Sequence, residues 1–162
     1  MKLTLFILFP LLTISVFVFL ILYDQEAQSQ LRHELSKSQK ETIANLGDLQ
    51  GDFETIQSFR DNNELMKSIH VLFRAQCASC HAPLGTGQLA PNLCDDSYLL
   101  VKNIPDLYTV ISEGSIEKGM LPFKGILSNN ELVLLAAYTA NLRGSASSGK
   151  QAEGKIIAPW PE

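Results

Sequence analysis

An all-α fold is the prediction for the folded part of this 162-residue chain, and three observations make it. Apolar residues recur in steps of three and four, as one face of a helix requires. Two stretches open with capping-box patterns, Asp61-x-x-Glu64 and Ser128-Asn129-Asn130-Glu131, in which a polar side chain and an acid three residues on satisfy the free amides of a first turn. No run alternates apolar and polar residues for long enough to make a useful strand.

The chain opens with a segment of another kind. Leu3 to Tyr23 carries no charged side chain. As a helix it is about 31 Å long, the thickness of a bilayer's hydrocarbon core. It is longer than the apolar part of a cleaved signal peptide, and Tyr23-Asp24-Gln25-Glu26-Ala27 makes a poor cleavage site. Residues 1–23 therefore read as an uncleaved transmembrane signal anchor, in which lipid tolerates Pro10. Lys2 and the N-terminal amine flank one end, Asp24 and Glu26 the other. The positive-inside rule then keeps the N-terminus cytoplasmic and exports everything after Tyr23. The expected location is the cytoplasmic (inner) membrane, crossed once through residues 3–23, with the folded domain on the periplasmic or extracytoplasmic side.

Residues 24–61 form a polar linker with eight acidic and four basic side chains. Its apolar residues, from Leu31 to Phe59, keep a helical rhythm that Gly47 and Gly51 interrupt. Two readings follow: a partly ordered stalk, or an amphipathic helix whose stripe from Leu46 to Phe59 packs on a partner subunit. The main domain spans residues 62–144. Its first helix puts Leu65, Ile69, Leu72 and Phe73 on one face, and Gly85-Thr86-Gly87 with Pro91-Asn92 marks an irregular loop. Asn103-Ile104-Pro105-Asp106 starts a second helix that Gly114 ends. The Ser128 box opens the last helix, with Leu132, Leu135, Tyr138 and Leu142 inside and Gly144 closing it. Residues 145–162 are rich in Ser, Gly, Lys and Pro and read as a flexible tail. The net charge of −4 is mild, and nothing is basic enough to imply nucleic acid.

The chemistry lies in Cys77-Ala78-Ser79-Cys80-His81, the only C-x-x-C-H in the chain. Two thiols three residues apart share one side of a helical turn, so both can form thioethers with the two vinyl groups of one porphyrin. His81 follows directly and can serve as proximal iron ligand. One haem c, bound covalently through Cys77 and Cys80, is the cofactor this motif implies. A thioredoxin-type reading needs the pair to follow a strand in a βαβ unit, and none surrounds it. A zinc reading needs a second closely spaced ligand pair, which is missing. For the other side of the iron the candidate is Met120, in Gly119-Met120-Leu121-Pro122-Phe123, because Met1 and Met66 both precede the motif. A thioether favours reduced iron and raises the reduction potential. Methionine is also an ordinary core filler, and open or His70-ligated iron is the alternative. Cys94 reads as a small buried apolar residue.

Residues 64–143 resemble a class I (monohaem) cytochrome c domain. The resemblance rests on Phe73 before Cys77-x-x-Cys80-His81, on Pro91-Asn92-Leu93, on Met120 with Pro122-Phe123, and on Leu135-Ala136-Ala137-Tyr138. It implies the class I cytochrome c fold, with the first and last helices crossing. It also implies that the Pro91 carbonyl accepts the second ring N–H of His81, orienting the imidazole. In three places the chain departs from the pattern. Ser68-Ile69 stands where a glycine is usual, Ala90 replaces a frequent glycine, and Leu121 separates Met120 from Pro122. Similar domains are fused or bound to respiratory complexes, such as the cytochrome c subunits of haem–copper oxidases. The function implied is single-electron transfer in a respiratory or related chain, as a subunit of a larger complex, with redox proteins as partners and no enzymatic activity of its own. The alternatives are a haem-based sensor or small-ligand binder, and a scaffold built on the 24–61 helix.

Overall fold

In the computed structural model, residues 16, 17, 19, 23, 25 and 37–161 are described, and the chain divides into two compact units, Met1–Thr42 and Ile43–Glu162. The anchor expected over residues 3–23 lies outside the described residues except at Val16, Phe17, Phe19 and Tyr23. Among the described residues no helix is long and apolar enough to cross a membrane. In the first unit residues 37–42 are helical, and the Thr42 hydroxyl donates to the Ser38 carbonyl at 2.9 Å.

The second unit is helical as expected. Its helices are α1 (Phe53–Arg60), α2 (Asn63–Gln76), α3 (Ala78–His81), α4 (Ile104–Glu113) and α5 (Asn129–Leu142), with a 3₁₀ turn at Ile116–Lys118. Two strands of two residues, β1 (Ser97–Tyr98) and β2 (Lys155–Ile156), are an addition to the expectation. The capping signals work with one shift. Asn62, not Asp61, caps α2, its side chain accepting from the Leu65 amide at 3.1 Å. At α5 the Ser128–Glu131 box closes as read, the Glu131 carboxylate accepting the Ser128 amide at 2.8 Å. Every residue from Glu131 to Ala140 is buried, so α5 is covered on all sides; α1, α2 and α4 pack against it.

The linker boundary at residue 61 is corrected by this packing. Ile43, Leu49 and Ile56 are buried, Ile56 with no exposed surface, and Leu46, Phe53 and Phe59 lie against the same core. The first turn of α5 holds the segment in place. Asn130 donates to the carbonyls of Ile43 at 3.0 Å and Gly47 at 2.6 Å and accepts from the Leu49 amide at 3.1 Å. The last turn of α5 does the same for the end of α1, where Arg60 donates to Asn141 at 2.9 Å and Asn141 returns a bond to the Arg60 carbonyl at 2.7 Å. The stripe that one of the two readings assigns to a partner subunit is thus covered within its own domain, and this part of the segment is not a loose stalk.

The flexible tail is corrected too. β2 pairs antiparallel with β1, Ser97 opposite Ile156 and Tyr98 opposite Lys155. The Arg143 side chain, only 7% exposed, donates to Asp96 at 2.7 Å and to the carbonyls of Ala158 at 2.7 Å and Ile157 at 2.9 Å. Its guanidinium lies 4.7 Å from the Trp160 ring centre, and Trp160 donates its indole N–H to the Ala140 carbonyl at 3.2 Å. A buried guanidinium holds because each face and edge finds a partner. Against this bundle sits Tyr98, whose phenol burial pushes up to about 12, opposed by Arg143 and aided by Asp95.

Ile56→Ala empties a fully buried site between α1 and α5. We expect a loss of about 2–5 kcal/mol of unfolding free energy. Urea denaturation of the holoprotein checks it; a loss near zero would return residues 43–60 to the linker.

Candidate haem-attachment site

Helix α2 carries the first cysteine to its place. Leu65, Met66, Ile69 and Phe73 are its buried face, and the Phe73 ring lies 5.2 Å from that of Tyr138 on α5. The Tyr138 hydroxyl is 2.6 Å from Nδ1 of His70, so the histidine considered as an alternative ligand is engaged with α5. α2 ends at Gln76, but the Cys77 amide still donates to Phe73 at 2.8 Å. The amides of Cys80 at 3.1 Å and His81 at 2.9 Å both return to the Cys77 carbonyl. One tight turn therefore joins the two thiols and the imidazole, with Cys77 half-buried and Cys80 exposed.

The chain then reverses at Ala82, whose φ of 66° is unusual for a residue with a side chain. Such a backbone costs about 1–3 kcal/mol and persists where surrounding bonds fix it. Here they do. The Cys80 carbonyl accepts from Gln88 at 3.2 Å, Leu89 at 3.0 Å and Ala90 at 2.9 Å, and the His81 carbonyl accepts from Gly87 at 2.8 Å. This folds the loop back onto α3 and brings the Pro91 carbonyl to 2.9 Å from Nδ1 of His81. A carbonyl can only accept, so Nδ1 carries the proton and Nε2 keeps its lone pair free for a metal. Burial, more than the adjacent Lys150, holds the imidazole below its usual pKa against the opposing pull of the Pro91 bond. The ring is neutral at pH 7, as a metal ligand must be.

As a free thiol Cys77 is pushed up to about 11, first by burial and then by Cys80. Redox-active thiols need the opposite shift, which disfavours the thioredoxin-type reading. Cys94 is 2% exposed and donates its thiol to the Leu84 carbonyl at 3.3 Å. It packs as the small apolar residue that the sequence implied.

Met120 comes from a separate loop, between α4 and α5. Ser115 and Met120 exchange backbone bonds of 2.8 and 3.0 Å, while the amides of Phe123 and Lys124 return to Ile111 at 3.2 Å and Ser112 at 3.0 Å. The Met120 side chain is half-buried against the core. Gly114 makes this closure possible. Its φ is +68°, and a Cβ there would stand 2.6 Å from the Pro122 nitrogen and 2.7 Å from the Met120 oxygen. The sequence marked Gly114 only as a helix stop; its role against the Met120 loop has no local signature.

The residues fit a porphyrin. Two sulfurs and a neutral imidazole share one turn, and apolar side chains on both loops stand uncovered by protein, Leu89 at 76% and Leu121 at 67% exposure. A large flat apolar group is what such walls suit. A helical domain with this turn and this imidazole bond has what covalent attachment of a haem requires. The family described as cytochrome c oxidase, cbb3-type, subunit III matches residues 64–138, just under half the chain. These residues are a class I cytochrome c domain, and its cofactor is haem c, for which Cys77 and Cys80 are the matching cysteine pair. Among solved structures, cytochrome CL from the marine methylotrophic bacterium Methylophaga aminisulfidivorans MPT is similar at 23% identity and a TM-score of 0.47. The match covers 66% of this chain and 90% of that one. No curated protein matches the chain significantly.

Gly114→Ala forces a side chain into the backbone of residues 120–122. We expect about 1–3 kcal/mol of destabilisation, with faster hydrogen exchange at the Phe123 amide than in α5. Equal exchange rates at the two places would mean that Gly114 does not hold the loop.

Proposed function

We propose that the protein is a membrane-anchored monohaem cytochrome c that passes single electrons as a subunit of a respiratory complex, of which a haem–copper oxidase is the leading example. Electron transfer is the business of the domain class. The carrying observation is the Cys77–Cys80–His81 turn with its ring held at 2.9 Å by Pro91. Haem c, when bound, supplies an iron that alternates between ferric and ferrous states. The chain's own residues do the rest. Cys77 and Cys80 would tether the group, His81 and Met120 would bind its iron, and the Pro91 carbonyl orients the His81 ring and tunes its basicity. Cys80 is exposed, so the edge it would tether would lie at the surface, within reach of a partner protein. On this reading the chain is an electron carrier rather than an enzyme.

The anchor reading rests on the uncharged run 3–23, whose described residues Val16, Phe17, Phe19 and Tyr23 are all exposed. It places the haem domain on the periplasmic or extracytoplasmic side, by the charge asymmetry around that run. Membership of an oxidase-type complex is supported by the family match, whose description names a subunit of such an enzyme. The scaffold alternative loses its motive, since the stripe from Leu46 to Phe59 packs on α5.

Two measurements decide these points. Met120→Ala should lower the reduction potential by about 0.1 V or more, a fraction of the roughly 0.8 V that axial ligands span, and the ferrous variant should bind carbon monoxide rapidly. An unchanged potential removes Met120 from the iron, and rapid carbon monoxide binding by the unaltered protein favours the sensor. Expressed at full length, the protein should stay with carbonate-washed membranes and co-purify with oxidase subunits after mild detergent extraction. Recovery as a soluble, N-terminally trimmed chain would overturn the anchor.

A further inference from the structure

We propose that the C-terminal segment is a clasp that positions the axial histidine: Gly149 and Lys150 seat on residues 86–92 and fix the Pro91 carbonyl that orients His81. The inference rests on His81 as the iron ligand.

Bonds from one short stretch grip the loop on both sides of Pro91. The Lys150 amide donates to the Thr86 carbonyl at 2.8 Å. Asn92, the residue that follows Pro91, donates its side-chain amide to the Lys150 carbonyl at 3.3 Å, and its oxygen accepts the Cys94 amide at 2.9 Å. The Lys150 ammonium donates to the Leu89 carbonyl at 3.3 Å and is paired with Glu153 at 2.6 Å. Asn92 is buried, so its own two bonds are shielded from competing water, while the ammonium bond to Leu89 is exposed.

Steric fit points the same way. A Cβ on Gly149 would stand 2.5 Å from the Thr86 oxygen and 2.7 Å from the Asn92 amide nitrogen. A Cβ on Gly87 would meet the Asn92 nitrogen at 2.8 Å and the Lys150 Cβ at 2.9 Å. The two glycines let the clasp and the loop approach at a spacing that a side chain on either would forbid.

The clasp is anchored at both ends. Where it leaves α5, the Gly144 amide donates to the Cys94 carbonyl at 2.7 Å. Beyond Lys150 it is held by the β1–β2 pair and by Arg143 and Trp160. A segment fixed twice presses on what lies beneath its middle, and that is the stretch carrying Pro91. Because the Pro91 bond sets imidazole basicity, a loosened clasp weakens electron donation to the iron and raises its potential.

The test uses the full-length holoprotein in its ferrous state. NMR follows solvent exchange of the His81 Nδ1 proton alongside the reduction potential. In Gly149→Val we expect that exchange to speed about five- to tenfold, the ratio that weakening one ordinary hydrogen bond implies, with the potential shifted upward and α5 amides unchanged. Lys150→Met, which removes the ammonium with both its bond to Leu89 and its pair with Glu153, is the milder variant and should speed the exchange; it also removes a positive charge beside His81, so the potential is read from Gly149→Val alone. Ile56→Ala, which weakens the core away from the loop, is the comparison. Unchanged exchange in both clasp variants, an unchanged potential in Gly149→Val, or changes that Ile56→Ala reproduces, would overturn the clasp alone. A wild-type protein whose His81 ring shows no haem-shifted resonance would remove His81 as ligand, and the clasp with it.

Discussion

From Glu131 to Ala140 every side chain of α5 is buried, and a helix apolar all round needs cover on each of its faces. That need organises the domain. α1, α2 and α4 supply most of the cover, and the Trp160 indole adds a bond to the Ala140 carbonyl. Alanines at 136, 137 and 140 keep the rod narrow, so neighbours approach closely. Polar groups at its two ends then fix which neighbour lies where, Asn130 at the first turn and Asn141 at the last. Each covering helix exports its position to the site. α2, docked through Phe73 and Tyr138, sets down Cys77; α4, docked through Leu107 and Ile111, ends at the loop that carries Met120.

How much of this was legible follows from how local each signal is. The attachment turn was readable because its chemistry needs particular residue types within a single turn. The helix caps were readable for the same reason, and the slip from Asp61 to Asn62 arose because either side chain can accept from the first turn. The stripe from Leu46 to Phe59 announced an apolar face but not its partner. A repeating pattern encodes that a face must be covered and is silent on whether the cover is the same chain. The C-terminal segment had no pattern at all. It is held by one buried cation, one indole and a two-residue strand pair, contacts between residues far apart in sequence.

At the haem-attachment loop, most of the fixing bonds are made by the backbone. The carbonyls of Cys80, His81 and Pro91 are the acceptors, and the donors are loop amides and one ring nitrogen. Side-chain identity matters there mainly where it alters backbone freedom. Ala82 pays for that freedom in strain, which the bonds around it outweigh.

The two proposed axial sides share a device. A neutral carbonyl cannot take the proton from Nδ1, so the basicity of His81 depends on how closely Pro91 is held rather than on any titrating partner. Position is therefore the variable that the fold must control, and the same holds for a thioether delivered from a loop. Behind Met120 stands Gly114, where the space of a Cβ is filled by the backbone of residues 120–122, and behind the Pro91 loop stands Gly149, where it is filled by the Thr86 carbonyl and the buried Asn92 side chain. Backbone, and a buried side chain held by its own hydrogen bonds, yield less than a side chain free to turn. Two close contacts of that kind hold the proposed ligands, one from the end of α4 and the other from the segment beyond α5.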